Sequence, residues 1–174
     1  MEKIEVYIGI GSNVGDLMAN IEHGLKLLNR EIKINQISSI YETVPVGFAS
    51  QAHFLNCVCV GTTYLEPEEL LLFLKDIEIL VGRTKTFPGG PRVFDADLLF
   101  YGMFVSESLS LTVPHPGIKT RAFVLIPLCE IAHSLIHPVY CKTVFELLEE
   151  IQDTSGVVLY SSPPTIDIIA KRKG

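Results

Sequence analysis

A chain of 174 residues is long enough for one domain with a sizeable hydrophobic core. Its hydrophobic fraction of 48% and charged fraction of 20% exclude a disordered or fibrous protein. The formal net charge of −6 argues against a broad nucleic-acid-binding surface, so any basic site for a phosphorylated ligand must be local. The first residues lack the pattern of a secretory signal and no apolar run is long enough to cross a bilayer. We therefore expect a cytoplasmic protein without a membrane partner.

The first half of the chain alternates strand and helix patterns. Residues 4–10 are alternating and β-branched and predict a strand, residues 9–16 predict a turn, and Asp16 can cap a helix to about Asn29. Residues 34–41 predict a second strand and residues 42–53 a loop. Residues 54–63 are apolar on both faces, which indicates a sheet covered on both sides, with Cys57 and Cys59 in the core.

The second half continues the alternation. Pro67 can open a helix and Gly82 can end it in a left-handed conformation. The predictions that follow are a basic, glycine-rich loop at 83–92, a strand at 93–101, extended chain at 111–117, a helix at 121–132 interrupted or shifted near Pro127, a helix from the capping box of Thr143 and Glu146 to about 151, and a short strand at 157–160. This order indicates one α+β domain over residues 1–174, with a mostly antiparallel sheet flanked by helices and a peripheral extension after about residue 152.

The strongest candidate site is the carboxylate pair of Asp95 and Asp97. Residues two apart on a strand point to the same face, so both carboxylates project together from an apolar strand. Burying two unpaired carboxylates is costly, and a divalent cation would offset both the desolvation and the repulsion. Oxygen ligands alone suit Mg²⁺. The alternative is a pair held by arginines or backbone N–H groups.

Basic residues precede and follow this pair in the chain. They are Arg83, Lys85, Arg92 and Arg121. Arginine can bind phosphate oxygens through two parallel hydrogen bonds. Gly89 and Gly90 could let the preceding loop close over a ligand as a lid. The alternative is a solvated loop whose charges have little effect.

Two further elements could contact a ligand. Phe54 and Asn56 share one face of a predicted strand, where a ring can stack on a flat heterocycle and an amide can donate and accept. His115 could hydrogen-bond a phosphate or act as an acid. The alternatives are a core phenylalanine and a structurally satisfied histidine. Neither a P-loop nor a dinucleotide-binding glycine motif is present, since the third glycine of the latter would fall at Val14.

Seven motifs in this order resemble the 6-hydroxymethyl-7,8-dihydropterin pyrophosphokinase family. They are Tyr-Ile-Gly-Ile-Gly-Ser-Asn-Val-Gly-Asp at 7–16, Ser-Ser-Ile-Tyr-Glu-Thr-Val-Pro-Val-Gly at 38–47, Phe-Leu-Asn at 54–56, Ile-Glu-Ile-Leu-Val-Gly-Arg at 77–83, Gly-Pro-Arg-x-x-Asp-x-Asp at 90–97, Leu-Thr-Val-Pro-His at 111–115 and Arg-Ala-Phe-Val-Leu-Ile-Pro-Leu at 121–128. The family usually has Tyr at position 54 and a Trp in the lid, whereas this chain has Phe54 and no Trp.

The resemblance implies a ferredoxin-like α+β fold and the transfer of pyrophosphate from ATP to the pterin's hydroxymethyl group in folate biosynthesis, releasing AMP. It implies two Mg²⁺ ions held by Asp95 and Asp97, which with Arg83 and Arg92 would be the catalytic residues. The implied pterin pocket is formed by Thr43, Val46, Phe54, Asn56 and Phe123. The implied ATP site has Leu71, Lys75, Glu78, Leu98 and Leu111 on the adenine side and Arg83, Lys85, Arg92, Thr112, His115 and Arg121 at the phosphates. The partners would be ATP and a reduced pterin bound by a monomer.

Two other functions are compatible with the same residues. One is a catalytically silent ligand-binding module on this scaffold. The other is a Mg²⁺-dependent phosphohydrolase that uses the same aspartate pair.

Overall fold

The computed structural model describes residues 2–45, 50–84 and 87–166. In chain order its elements are β1 (Ile4–Ser12), α1 (Leu17–Leu28), β2 (Lys33–Ile37), β3 (Ile40–Thr43), β4 (Phe54–Thr63), α2 (Pro67–Val81), β5 (Asp95–Tyr101), β6 (Ser106–Glu107), β7 (Thr112–Val113), a 3₁₀ helix (Ile118–Thr120), α3 (Ala122–Ala132), β8 (Ile136–His137), β9 (Lys142–Thr143), α4 (Val144–Glu149) and β10 (Val157–Ser161). Within the described ranges, no helix is both long and apolar enough to cross a bilayer.

The main sheet has six strands in the order β10-β3-β4-β1-β5, with β2 also paired to β4. Each of its pairs in the described part of the chain is antiparallel. The α+β prediction with a mostly antiparallel sheet is therefore confirmed. The segment after about residue 152 adds β10 as an edge strand beside β3.

The sheet is covered on both faces, as residues 54–63 predict. Along β4, Cys57 and Cys59 join a core that includes Leu25 of α1. The intervening Val58 joins a second core with Leu125 of α3 and residues of α4. This alternation follows from the period of two along a strand. It places α1 and α2 on one face of the sheet and α3 and α4 on the other.

Local capping signals are confirmed. The Asp16 side chain accepts a hydrogen bond from the Ala19 N–H at the start of α1. Gly82 ends α2 with a φ of 119°, a conformation that glycine adopts without strain. Thr143 and Glu146 form the predicted reciprocal capping box of α4.

The predicted single strand at 34–41 is wrong, because β2 and β3 are separate. Between them, Ser38 is fully buried and bonds twice to Val58, through its N–H to the carbonyl at 2.9 Å and through its Oγ to the N–H at 3.0 Å. A side-chain oxygen thus takes the place of a backbone acceptor in the ladder, which interrupts the strand.

Two other boundaries also differ from the predictions. β1 extends to Ser12, so the turn begins later, because Ser12 still pairs with Leu55 of β4. α3 continues through Pro127 without interruption. The proline, Leu125 and Leu128 are all buried in this helix, and such burial can offset the roughly 3 kcal/mol cost of a proline inside a helix.

Gly24 of α1 lies directly against the fully buried ring of Phe94, and we expect Gly24→Ala to destabilise the fold. An added Cβ would lie 2.1 Å from Phe94 Cε2. Overpacking of this kind typically costs about 1–3 kcal/mol, which should exceed the gain in helix propensity of about 1 kcal/mol. Urea unfolding would measure the loss. In a Phe94→Leu background the same substitution should cost less, and an equal cost in both backgrounds would contradict the overpacking explanation.

Candidate active site

The ends of four strands meet at one edge of the sheet. Gly11 of β1 pairs with Asn56 of β4 on one side and with Asp95 of β5 on the other, and Thr43 of β3 pairs with Phe54. A cavity of about 170 Å³ opens at this point. Its lining includes eight predicted site residues: Thr43, Phe54, Asn56, Arg92, Asp95, Asp97, Arg121 and Phe123. Residues separated by up to 80 positions are thus brought into one site.

One wall of the cavity combines a buried amide with two aromatic rings. Asn56 is 8% exposed, and its Nδ2 donates to Thr43 Oγ1 at 2.6 Å. The rings of Phe54 and Phe123 are partly exposed to the cavity, and the Arg121 guanidinium lies 5.8 Å from the Phe123 ring centroid. An oriented amide beside aromatic rings suits a flat heterocycle with hydrogen-bonding edges.

Gly11 permits the close approach of Asn56, and we expect Gly11→Ala to weaken selectively the binding of a ligand that contacts the Asn56 amide. An added Cβ would lie 2.6 Å from Asn56 Oδ1, so the amide would have to move. Loss of one well-placed hydrogen bond corresponds to a KM about tenfold higher for the substrate that contacts this amide. Steady-state kinetics would measure it, with Gly9→Ala as control, because a Cβ there would meet only the Leu99 side chain at 3.4 Å. Equal effects of the two substitutions on KM would contradict this role.

A second wall of the cavity carries Asp95 and Asp97 among arginines. Asp95 Oδ1 lies 2.7 Å from Arg92 Nη1 and 3.4 Å from Arg83 Nη1. Partial burial, reinforced by the charge of Asp95, raises the pKa of Asp97 to about 6 although Arg121 opposes the shift. Asp97 is therefore the less compensated carboxylate, and a cation placed beside it would be stabilised.

Glu78 of α2 belongs to the same charged cluster. The pattern of α2 groups it with Leu71 and Lys75 in a partly exposed stripe, but Glu78 is only 6% exposed. Its Oε1 accepts from the Ala96 N–H at 3.0 Å and its Oε2 pairs with Arg83. Burial raises the pKa of Glu78 to about 7, against the effects of the Ala96 hydrogen bond and Arg83. Glu78 thus holds Arg83 beside the aspartates.

His115 lies at the outer side of the aspartate pair. Its Nδ1 accepts from the Gly117 N–H at 3.0 Å, and its Nε2 lies 3.9 Å from Asp97 Oδ2. Burial and the nearby Arg121 lower the pKa of His115. In the neutral ring an accepting Nδ1 leaves the proton on Nε2, so His115 presents a donor to the site.

The remaining predicted residues of the described ranges do not line this cavity. A groove of about 460 Å³ beside α2 includes Lys75, Glu78, Arg83 and Arg92, so it adjoins the cavity at Arg92. Leu71 is half-buried and Thr112 exposed, whereas Leu98 and Leu111 are in the core and offer little surface to a ligand. Val46 and Lys85 lie outside the described residues.

The donor set fits a Mg²⁺ ion that shares its ligands with a phosphorylated compound. Across residues 2–45, 50–84 and 87–166, no three His, Cys, Asp or Glu side chains are grouped to hold a metal ion by themselves. Mg²⁺ often binds proteins through one or two carboxylates and takes its other ligands from phosphates and water. Asp95 and Asp97 provide such a pair on one face of β5.

Sequence reasoning missed Gly11 and Asn13 as site residues. The glycines at 9–15 were considered as a failed dinucleotide motif and as part of the family motif at 7–16, and neither assigned a role to Gly11 or Asn13. Asn13 is 5% exposed and bonds to segments far away in the chain. The only signal in the sequence is a short polar residue directly after a strand, which also occurs in ordinary turns.

The chain matches the family model described as "7,8-dihydro-6-hydroxymethylpterin-pyrophosphokinase (HPPK)" over residues 7–133. It is 43% identical over 145 residues to the 2-amino-4-hydroxy-6-hydroxymethyldihydropteridine pyrophosphokinase of Aquifex aeolicus, covering 83% of this chain and 91% of that protein. It is 38% identical over 160 residues to the folic acid synthesis protein FOL1 of Dictyostelium discoideum, covering 92% of this chain but 24% of that much longer protein.

A similar fold occurs in the crystal structure of Plasmodium falciparum HPPK-DHPS, with a TM-score of 0.71 at 17% identity. The match covers 86% of this chain and 44% of the Plasmodium chain. This likeness concerns the fold and confirms the prediction of a ferredoxin-like α+β architecture.

Proposed function

Because this chain belongs to the 7,8-dihydro-6-hydroxymethylpterin-pyrophosphokinase family, we propose that it transfers the pyrophosphoryl group of ATP to 6-hydroxymethyl-7,8-dihydropterin in folate biosynthesis. The products are AMP and the pterin diphosphate. The observation that carries the proposal is a single cavity lined both by an oriented amide with two aromatic rings and by paired carboxylates among arginines. A flat heterocycle and a polyphosphate would meet in this cavity.

The pterin binds at the amide-and-aromatic wall. The heterocycle lies between Phe54 and Phe123 and exchanges hydrogen bonds with the Asn56 amide, which Thr43 orients at 2.6 Å. The pterin's hydroxymethyl group then points towards Asp95 and Asp97, because these residues line the same cavity. Holding the two substrates next to each other in one cavity supplies part of the rate enhancement.

The triphosphate binds at the arginine-rich wall. Arg92 contacts Asp95 through Nη1, and a guanidinium has five N–H donors, so other donors of Arg92 remain for phosphate oxygens. Arg83 is held nearby by Glu78, and His115 presents its Nε2 proton towards Asp97. These donors stabilise the charge that develops as the substrate hydroxyl loses its proton to solvent and its oxygen attacks the β-phosphorus. The bond from the β-phosphorus to the oxygen that bridges it to the α-phosphorus breaks, and AMP leaves with that oxygen.

We propose that Asp95 and Asp97 would hold two Mg²⁺ ions. When bound, Mg²⁺ supplies neutralisation of the polyphosphate charge. The support is the oxygen donor set and the raised pKa of Asp97, because partial burial beside Asp95 disfavours its charge unless a cation is near.

We further propose that a monomer in the cytoplasm suffices for the reaction. The support for a monomer is that residues of this chain form both the amide-and-aromatic wall and the aspartate–arginine wall of the cavity. The four cysteines are unpaired, which is compatible with a reducing compartment.

The decisive experiment measures AMP release by the purified chain with ATP and Mg²⁺, with and without the pterin. We expect AMP only when the pterin is present. Phosphate release without pterin would instead indicate a phosphohydrolase. Calorimetric binding of the pterin and a non-hydrolysable ATP analogue, without turnover of ATP, would indicate a silent binding module.

A further inference from the structure

We propose that Asn13 and Gln51 are positioning residues that hold together the loop before β4 and the loop before β5, which lead into the two walls of the cavity. This Asn13–Gln51 bridge joins the segment before β4 to the segment before β5. The first segment leads into Phe54 and Asn56, and the second leads into Asp95 and Asp97. The inference rests on the proposed function for its kinetic consequences, but the bridge itself can be tested without any substrate.

Asn13 binds both backbone polar groups of Arg92, its carbonyl and its N–H. The Asn13 N–H donates to the Arg92 carbonyl at 2.9 Å, and Asn13 Oδ1 accepts from the Arg92 N–H at 2.7 Å. This pair of hydrogen bonds spans 79 residues of sequence. It sets the position from which the Arg92 side chain reaches Asp95 at 2.7 Å.

The amide nitrogen of Asn13 binds the loop before β4. Its Nδ2 donates to Gln51 Oε1 at 3.0 Å and to the Ala52 carbonyl at 3.1 Å. The partners fix the orientation of the amide, because the Arg92 N–H can only donate and the Ala52 carbonyl can only accept. Asn13 is 5% exposed, so breaking these bonds would leave buried polar groups without partners.

Gln51 closes the connection between the two loops. Its Oε1 receives the hydrogen bond from Asn13, and its Nε2 donates to the Gly89 carbonyl at 2.9 Å. The loop before β5 is therefore held at two points, Gly89 and Arg92. Displacing either loop would misplace the pterin relative to the phosphates, and a displacement of about 1 Å can cost on the order of 100-fold in rate.

The test compares Asn13→Ala, Gln51→Ala and the double variant with wild type and with Asn20→Ala. Asn20 is the control, because its Nδ2 donates to Ser12 Oγ and to the Val14 carbonyl but contacts neither loop itself, and Asn20→Ala leaves the Ser12 hydroxyl free to keep its own hydrogen bond to the Val93 carbonyl. Amide hydrogen exchange by NMR, without substrates, reports on the Arg92 N–H directly. We expect exchange at least about tenfold faster in Asn13→Ala and unchanged in Asn20→Ala. An unchanged Arg92 exchange rate in Asn13→Ala would overturn the bridge.

Kinetics then separate positioning from simple loss of stability. We expect each single variant to raise KM for the pterin and lower kcat, with kcat/KM falling about 10- to 100-fold. The double variant should lose no more than the worse single variant, since both act through one connection. Strictly additive losses, or a lower kcat at unchanged KM, would overturn the positioning role. If Asn13→Ala does not fold, Gln51→Ala supplies both the Arg92 N–H exchange rate and the steady-state kinetics, because Gln51 is more exposed than Asn13.

The two proposals fail in distinguishable ways. Wild-type protein that releases no pterin-dependent AMP would refute the proposed function, whereas the Arg92 exchange rates would still decide whether the bridge exists.

Discussion

Under the proposed function, replacing Asp97 by asparagine should lower kcat for pterin-dependent AMP release on the order of 1,000-fold, because it would remove a charged ligand of the proposed Mg²⁺ at the phosphates. The fold should remain as stable at pH 7 as wild type or become more stable. Partial burial and the charge of Asp95 raise the pKa of Asp97 to about 6, above its ordinary value of 3.8, so the ionised form is disfavoured in the folded chain. Steady-state kinetics across a Mg²⁺ titration and thermal unfolding would measure the two effects.

Asp95→Asn is the matched comparison for this experiment. It should also abolish most turnover, but it should lower the stability, because Asp95 Oδ1 compensates Arg92 at 2.7 Å and Arg83 at 3.4 Å. The two neighbouring aspartates are thus expected to differ in stability while agreeing in activity. Retention of activity within tenfold in Asp97→Asn, or a large loss of its stability, would favour a structural role for the pair.

Replacing Arg92 by leucine should reduce kcat about 100- to 1,000-fold, because the site would lose the proposed donor to phosphate together with the partner of Asp95. The backbone hydrogen bonds between Asn13 and Arg92 do not depend on the side chain, so the loop should keep its place. Arg92→Lys keeps the charge but loses the planar guanidinium, and its kcat should fall between those of wild type and Arg92→Leu. Steady-state kinetics for both substrates would measure the series.

The exposed Arg30, beyond the end of α1, provides the control. Arg30→Leu removes the same charge from the chain and should change kcat less than about twofold, because surface charges far from a site contribute little. Equal activity of Arg92→Lys and wild type would show that charge alone matters at this position. Full activity of Arg92→Leu would exclude a role in the reaction.

Features that depend on neighbouring residues could be predicted well. The run at 54–63, which is apolar on both faces, predicted a strand in a sheet covered on both sides. The strand β4 occupies those residues, and its side chains alternate between two cores. Asp16 and Gly82 predicted the start of α1 and the end of α2, because capping involves only three or four residues. The placement of Asp95 and Asp97 on one face of β5 has the same local origin.

Features that depend on distant residues were missed or misplaced. Ser38 interrupts the predicted strand because Val58, twenty residues away, offers its N–H to the serine hydroxyl. Glu78 can be buried because the Ala96 N–H and the Arg83 guanidinium donate hydrogen bonds to its carboxylate. No pattern within α2 reveals these two partners. Pro127 remains inside α3 because the sheet packs against that helix.

The aspartate pair shows where the division lies in this protein. By itself, the sequence determined that two carboxylates project from one face of an apolar strand, since side-chain direction along a strand follows from backbone geometry alone. Only the tertiary structure decided that Arg92 and Arg83 contact Asp95 directly while Asp97 is less compensated, and that Gly11 allows the Asn56 amide into the same cavity. Compensation of charge and the shape of a cavity depend on distances between segments that are far apart in the chain, and packing of the whole sheet sets those distances.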